Sequence, residues 1–294
     1  MHKFLRAIGF SEIKNKSEMN IILEQVLSSN TKAITPISAS ANLIQINKNF
    51  GETFGCSLVG EYDAKGCLNI EHCFPYCIGE FVTSQSDIQI ENHADKEAYS
   101  GLCDDLNVGM TLIFYLQNIS DYVKSKWINE FYKIPTKVVL SGLSTSGKIL
   151  LDIGGEDVSP KQKKINEAGY NSRKNLLAKA KAGDFDALES LTLEDMDMYT
   201  LISKRMKNED VLSIVKSYFM PFGIDNEQYS ILGYIISVQK TVNILTKEIV
   251  CNLAIECNDI LFNVCINSID LVGEPVAGRR FKGNIWLQGN VTFD

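Results

Sequence analysis

The sequence has no hydrophobic run long enough to cross a membrane. Its longest relevant apolar segment, Met110 to Leu116, is far shorter than the roughly 20 residues that a membrane-spanning helix needs. Near the N-terminus Arg6 interrupts the apolar residues and no small-residue cleavage site follows, so we expect no signal peptide. The sequence therefore predicts a cytoplasmic protein with no membrane span, whose eight cysteines are reduced thiols.

Histidine and arginine are also scarce. The three histidines are His2, His72 and His93, and neither a G-x-S-x-G elbow nor an H-E-x-x-H motif is present. Because nucleophilic catalysis usually needs a base beside the nucleophile, we predict no catalytic residue. Only five of the 29 basic residues are arginine, and the net charge is −7. Since arginine is the residue best suited to phosphates and base edges, this composition disfavours nucleic acid as a partner.

The cysteines do not follow the usual spacing of a metal site. Cys73 and Cys77 form one pair, with Cys67, His72 and His93 elsewhere in the same region, but no second pair lies at finger or ribbon spacing. His72 and Cys73 would also point to opposite faces of one strand. We therefore predict neither a metal nor a cofactor, and expect these residues to belong to a hairpin.

The segment from Gly142 to Lys148 nearly matches the phosphate-binding loop G-x-x-x-x-G-K-[ST]. However, Ile149 replaces the hydroxyl residue that would hold magnesium, and an apolar, β-branched segment follows where the loop needs a helix. We therefore expect two strands, Lys137–Leu140 and Lys148–Ile153, joined by a turn, and no nucleotide loop.

The patterns that are present predict an α+β fold in three parts. Residues 1–158 are expected to form an α+β domain of mixed helices and antiparallel strands. Residues 159–222 are expected to be a helical segment, in which Gly183 ends the first helix. Residues 223–294 alternate apolar and polar side chains, which predicts an antiparallel β domain built as a meander or a small barrel.

Individual elements follow from the same periodicities. A helix is predicted over Ser17–Ser28, and another after Asn118. The clearest predicted strands are Leu43–Ile46, Cys56–Tyr62, Cys67–Phe74, Gly109–Leu116, Ile249–Cys257 and Phe281–Val291.

The best candidate binding surface follows Gly278. Arg279 and Arg280 are adjacent, Lys282 follows, and the next strand is expected to carry Trp286 on an exposed polar face. Arginine, flanking glycines and an exposed aromatic are components of anion-binding surfaces, so these four residues are the candidate ligand-binding residues. The alternative is a strand entry with solvated charges. If the surface binds an anion, replacing both arginines by alanine should abolish binding and leave the melting temperature nearly unchanged.

The chain also resembles a bacterial protein family known only as a domain of unknown function. The resembling stretches are MHKFLRAIGFS, SGLSTSGKILL, LTLEDMDMYTLISKR, YFMPFGIDNEQYSILG, CNDILFNVCIN and GEPVAGRRFKGNIWLQG, which together cover nearly the whole chain. The resemblance implies a full-length, intracellular bacterial unit. It brings no established activity, cofactor or catalytic residue.

The function itself does not follow from the residues. The leading hypothesis is a non-enzymatic module that binds a small anionic ligand or a protein partner, because no catalytic constellation and no cofactor loop is present. One alternative is an enzyme with a site assembled from dispersed residues, which a deep pocket with several titratable groups of perturbed pKa would favour. Another is a structural or assembly homo-oligomer, which a large exposed apolar patch would favour.

Overall fold

Strands predominate among the residues that the structure describes. The computed structural model describes residues 2–13, 15–37, 42–63, 65–84, 88–92, 98–105, 110–128, 135–150, 183–187, 189–193 and 215–293, with the single positions 176, 179, 180 and 196. Among these residues the strands are β1 (Thr31–Pro36), β2 (Asn42–Asn49), β3 (Phe54–Tyr62), β4 (Leu68–Cys77), β5 (Gln89–Asn92), β6 (Tyr99–Asp105), β7 (Met110–Leu116), β8 (Pro135–Leu150), β9 (Tyr218–Pro221), β10 (Gln228–Val242), β11 (Ile249–Cys257), β12 (Ile260–Asn267), β13 (Leu271–Val272) and β14 (Arg280–Phe293).

Few helices accompany the strands in the described part of the chain. The helix α1 (Lys16–Leu27) begins at a capping box, in which Asn15 accepts the backbone N–H of Glu18 and the Glu18 carboxylate accepts that of Asn15. The helix α2 (Ile119–Ile128) follows Asn118. Both helices predicted within residues 1–158, over Ser17–Ser28 and after Asn118, are therefore confirmed. A short 3₁₀ helix (Lys3–Ile8) packs against β4, β8 and β12. Among the described helices, none is both long and apolar enough to cross a bilayer.

The smaller sheet has four strands in the order β1-β2-β3-β4, and every pair is antiparallel. The hairpin between β3 and β4 turns at Gly66, which has a positive φ of 79°, as the Asp63-to-Gly66 sequence predicts. The Asp63 carboxylate accepts the backbone N–H groups of Lys65 and Cys67, which holds the turn closed. The helix α1 covers β2 and β3 with its buried Ile22 and Val26.

The larger sheet closes part of itself into a barrel. Its strands pair in the order β8-β12-β11-β10-β14, and β14 then pairs with β8, which completes a ring of five. The prediction was an antiparallel meander or small barrel within residues 223–294, whereas this barrel takes one strand, β8, from outside that range, and β8 runs parallel to β12. The ring therefore joins residues from the predicted 1–158 and 223–294 parts in one sheet. Outside the ring, β7 pairs with β14 at Gln288 and Gly289, and β6 and β5 follow β7 in the same sheet.

Strand β8 corrects the expectation of two strands and a turn between Lys137 and Ile153. It is one continuous strand from Pro135 to Leu150, and the near-match to the phosphate loop lies inside it. Its glycines leave space for side chains of the barrel: a Cβ at Gly147 would lie 2.4 Å from the Phe281 ring. The glycines that suggested a loop are therefore explained by packing.

Most of the predicted helical segment, residues 159–222, lies outside the described residues. The described positions just before Gly183 are helical, and Gly183 has a left-handed φ of 89°, in agreement with its predicted role as a helix stop. Asp184 then accepts the backbone N–H groups of Asp186 and Ala187, and helical backbone follows. The coarse α+β class is confirmed, whereas a separate helical unit stays a prediction.

Candidate functional site

The structure separates the arginine pair from Trp286. Arg279 donates through Nη1 to the Glu274 carbonyl at 3.0 Å, and Arg280 donates through Nη1 to the Val215 carbonyl at 3.0 Å. Residues 280 to 286 of an extended strand span about 20 Å at roughly 3.3 Å per residue. The half-buried Lys282 lies between Arg280 and Trp286, opposite Leu232 on β10 and Lys148 on β8. The four predicted residues therefore lie along β14 and the residue before it, and they do not converge on one point.

Trp286 is buried, which corrects the expectation of an exposed aromatic. Only 6% of it is exposed, because the rings of His2, Phe4 and Tyr115 cover it with centroids 4.5, 5.4 and 4.9 Å away. The alternation along β14 does place Trp286 outside the barrel, but the N-terminal residues then pack over that face. Contacts between residues so far apart in the chain leave no signal in a local pattern.

Strands β4, β7 and β14 meet along a line on the outside of the barrel, which we call the seam. Its centre is a pair of glutamines, Gln117 and Gln288, that we call the glutamine plug. Fully buried Gln288 donates to the Pro75 carbonyl at 2.8 Å and accepts the N–H of Cys77 at 3.2 Å. Gln117 donates to Gln288 at 3.0 Å and to the Cys77 carbonyl at 2.8 Å. A cleft opens on each side of this plug.

The first cleft, here called the amide cleft, has a volume of about 620 Å³ and lies between the smaller sheet, α2 and the end of β14. Its lining is dominated by neutral hydrogen-bonding groups. Hydroxyls come from Ser29, Thr31, Tyr76 and Ser120, and the charged side chains of its described lining are Lys48 and Asp121. Six carboxamides line it: Gln45, Asn47, Asn49, Gln117, Asn118 and Asn290.

Hydrogen bonds hold several of these side chains in place. Gln45 donates to the Gln117 carbonyl at 2.6 Å and accepts the backbone N–H of Ser120 at 2.9 Å. Asn118 both donates to and accepts from the backbone of Val291, at 2.8 and 3.0 Å. Both amides are therefore fixed by backbone partners before any ligand arrives.

Tyr76 also has a fixed role in the amide cleft. Its hydroxyl donates to the side-chain oxygen of Asn49. Burial, with a smaller contribution from the nearby Cys56, raises the pKa of Tyr76 well above its ordinary value. The phenol therefore keeps its proton and serves as a hydrogen-bond donor.

The second cleft, here called the aromatic cleft, lies on the opposite side of the plug and has a volume of about 670 Å³. Its polar residues include Lys3, Asp225, Glu227 and Gln228, which come from the N-terminus and from the turn before β10 and the start of that strand. Six rings line it: His2, Phe4, His72, Phe74, Tyr115 and Trp286.

A hydrogen bond links two titratable side chains in the aromatic cleft. Nε2 of His72 lies 2.8 Å from the hydroxyl of Tyr115. Burial raises the pKa of Tyr115, and the negative charge of Glu227 raises it further. A tyrosine that acts as a base or nucleophile needs the opposite shift, and Tyr115 keeps its proton here. Glu227 itself accepts a hydrogen bond from the Ser100 hydroxyl at 2.6 Å.

The residues considered for a metal site are dispersed. Cys67 is exposed at the hairpin, His72 and Cys73 are in the aromatic cleft, and Cys77 is buried beneath the plug. His93 lies outside the described residues. Among the side chains that the structure describes, no group of three or more histidine, cysteine, aspartate or glutamate residues is arranged to hold a metal ion.

A protein-family model matches residues 5–289 of the chain. Its description is "Domain of unknown function, E. rectale Gene description (DUF3881)". The chain belongs to this family, which confirms the resemblance drawn from its sequence. No curated protein and no solved structure matches the chain.

Proposed function

We propose that this protein is a binding module for a small, neutral, polyhydroxylated molecule, a sugar or a polyol, and that the amide cleft holds it. The observation that carries the proposal is the set of six carboxamides and four hydroxyls around one cleft. Each carboxamide offers both a donor and an acceptor, as each ligand hydroxyl does. The volume of about 620 Å³ falls within the range of roughly 300–1,000 Å³ that is usual for small-molecule sites.

The charges of the cleft favour a neutral ligand. Lys48 and Asp121 have opposite signs, so the described lining supplies no net charge. A charged ligand would lose hydration on entry and would meet a charge of its own sign as well as an opposing one. This argument shifts the ligand class from the anion that the arginine pair suggested to an uncharged molecule.

The aromatic content of the cleft favours a polyol over a planar base. Tyr76 is the one aromatic side chain in its described lining, and only 9% of Tyr76 is exposed. A planar base would need an open ring face for stacking. Hydroxyl groups need only directional donors and acceptors, which the half-buried Asn47 and the exposed Asn290 offer at the cleft.

Binding without catalysis is favoured by the same lining. Its described residues include no histidine, cysteine or glutamate, and the carboxylate of Asp121 accepts a hydrogen bond from Asn118 at 3.1 Å. General acid–base chemistry is most often carried by histidine or by two carboxylates, and the described lining holds one carboxylate and no histidine. A cytoplasmic location is part of the proposal, and eight free cysteines are consistent with that reducing compartment.

The test is isothermal titration calorimetry of the full chain against neutral monosaccharides, disaccharides and inositol, with sugar phosphates and nucleosides for comparison. Asn47 and Asn290 lie on different strands that line the cleft. We expect the double variant Asn47→Ala with Asn290→Ala to weaken binding of a neutral sugar at least tenfold and to leave the melting temperature nearly unchanged.

The matched control is Asn284→Ala, because Asn284 lies on β14, the strand that carries Asn290, and does not line the amide cleft. It should leave sugar affinity unchanged. The proposal is overturned if no neutral sugar or polyol binds, or if the control weakens binding as much as the double variant does.

A further inference from the structure

The hairpin of β10 and β11 continues past the end of the pairing between β10 and β14. β14 pairs with β10 from Gln228 to Tyr234, whereas β11 pairs with β10 as far as Val242. Among the described strands, β11 alone therefore pairs with the last part of β10. Four large apolar side chains at the end of this hairpin are between 40% and 56% exposed, and we call them the hairpin patch: Val242, Ile244, Leu245 and Ile249.

The residues of the hairpin patch are neighbours in space. Val242 lies directly opposite Ile249 in the register, so these two side chains share one face of the hairpin. Val242 and Ile244 line the same cleft. Single exposed apolar residues are ordinary on a protein surface, but a cluster of them marks an interaction surface.

The turn that carries the hairpin patch is fixed by a buried asparagine. The side chain of Asn243 accepts the backbone N–H groups of Leu245 and Thr246, at 2.9 and 3.2 Å. The same side chain donates to the Ile8 carbonyl at 2.8 Å, which ties the turn to the N-terminal 3₁₀ helix. The patch is therefore formed before any partner binds.

One acid and one base line the cleft beside the hairpin patch. This cleft has a volume of about 440 Å³, and the charged side chains of its described lining are Glu52 and Lys240. Glu52 lies in the turn between β2 and β3, and Lys240 lies on β10. A twofold axis through this surface would bring Lys240 of each copy to Glu52 of the other. The surface is therefore complementary to itself in charge.

We propose that the hairpin patch is a docking surface for a second copy of this chain, and that two copies form a twofold-symmetric dimer through it. The four apolar side chains form the centre of the interface, and Glu52 and Lys240 lie at its rim. Burial of the apolar residues supplies most of the affinity, because exposed ion pairs contribute little. The ion pairs set the orientation and favour a copy with the same charge pattern.

Sedimentation velocity at increasing concentrations of the full chain tests for this dimer. We expect the parent to form a dimer as its concentration rises. Ile244→Asp should weaken it at least tenfold, because the interface would then bury a carboxylate. Ile224→Asp is the matched control and should leave the dimer unchanged, since Ile224 is 99% exposed and precedes the start of β10, at the other end of that strand from the patch. Melting curves identify a variant that does not fold.

Charge variants show whether the contact is made between two copies. Lys240→Glu alone and Glu52→Lys alone each bring like charges together at the rim, so each should weaken the dimer at least threefold. When the two variants are mixed, every glutamate of one copy meets a lysine of the other, and a heterodimer tighter than either homodimer should form. An ion pair within one chain would not respond to mixing.

Three outcomes would overturn the dimer. The parent could stay monomeric throughout the concentration series, the folded Ile244→Asp protein could dimerise as well as Ile224→Asp, or mixing the two charge variants could fail to restore association. Any one of these results excludes the hairpin patch as an interface between copies.

The amide-cleft double variant distinguishes this proposal from the first. Asn49 lines both the amide cleft and the cleft beside the hairpin patch, so a second copy would lie next to the amide cleft. The folded Asn47→Ala with Asn290→Ala protein should lose sugar binding and dimerise like the parent, and a loss of the dimer in it would contradict the assigned interface. Absence of sugar binding in the parent would overturn the first proposal and leave the dimer standing.

Discussion

The sulfur atoms of Cys77 and Cys265 lie 2.7 Å apart, although 188 residues separate them in the chain. Cys77 ends β4 of the smaller sheet, and Cys265 lies in β12 of the barrel. Both side chains are fully buried. This contact ties the smaller sheet to the barrel directly beneath the glutamine plug, since Gln117 donates to the carbonyl of Cys77.

The first prediction concerns the reactivity of these thiols. Burial and the contact with Cys265 raise the pKa of Cys77, so the reactive thiolate is scarce there. We expect iodoacetamide to modify the exposed Cys67 within minutes in the native protein, and to modify Cys77 and Cys265 only after unfolding in urea. Peptide mass spectrometry measures each site. The variant Cys67→Ser should remove the fast phase, and fast native labelling of Cys77 would contradict the predicted protection.

The second prediction is a loss of stability at alkaline pH. Burial raises the pKa of Cys257 from 9.0 to about 12, and its thiol donates to the carbonyls of Tyr218 and Leu232. Above about pH 9 the unfolded chain loses this proton and the folded chain keeps it, so the unfolded state binds fewer protons. The free energy of unfolding should therefore fall by about 1.4 kcal/mol per pH unit from this thiol between about pH 9 and 12.

Urea titrations at pH 8 and at pH 10.5 measure this slope. The variant Cys257→Ala removes the group, so it should be less stable than the parent at pH 8 and should lose less stability between the two pH values. Tyr76 and Tyr115 also have raised pKa values through burial, so part of the alkaline loss should remain in the variant. An unchanged slope in Cys257→Ala would show that this thiol is not protected.

The third prediction reverses the expectation for the arginine pair. Only 8% of Arg280 is exposed, and its guanidinium donates to the Val215 carbonyl. Arg280→Ala should lower the free energy of unfolding by about 1–3 kcal/mol, because it removes a charged hydrogen bond and buried packing. Arg279→Ala is the matched control and should change it by less than about 0.5 kcal/mol, since its bond to the Glu274 carbonyl is exposed. If chemical denaturation gives equally small changes in the free energy of unfolding for both variants, both arginines are solvated charges at the entry to the strand.

Local patterns predicted much of this fold because strands and helices follow nearby residues. The bounds of β11 agree with the predicted Ile249–Cys257, and the helices after Asn15 and Asn118 were both expected. Glycine in β8 misled the prediction, because Gly147 makes room for Phe281, which lies 134 positions later. A requirement set by so distant a side chain cannot be inferred from the glycine itself.

The candidate sites were less predictable than the fold for the same reason. Trp286 was identified, but its partners His2 and Tyr115 come from the N-terminus and from β7. The amide cleft draws on both sheets and α2, and scattered asparagines and glutamines form no motif. Only the folded chain brings these groups together.

The last prediction is that the hydrogen bonds of Gln288 at the seam contribute several kcal/mol to the free energy of unfolding. Gln288→Leu keeps a similar volume but leaves the Cys77 N–H and the Pro75 carbonyl without their side-chain partner in a buried site. Each such group costs about 1–3 kcal/mol, so the free energy of unfolding should fall by several kcal/mol. Gln239→Leu is the control, because Gln239 is exposed and bonds to Glu52 at the surface, and its change should stay within about 0.5 kcal/mol. Chemical denaturation compares the two variants. Equal stability would mean that the plug fills space without contributing its hydrogen bonds, and the separation of the clefts would then depend on packing alone.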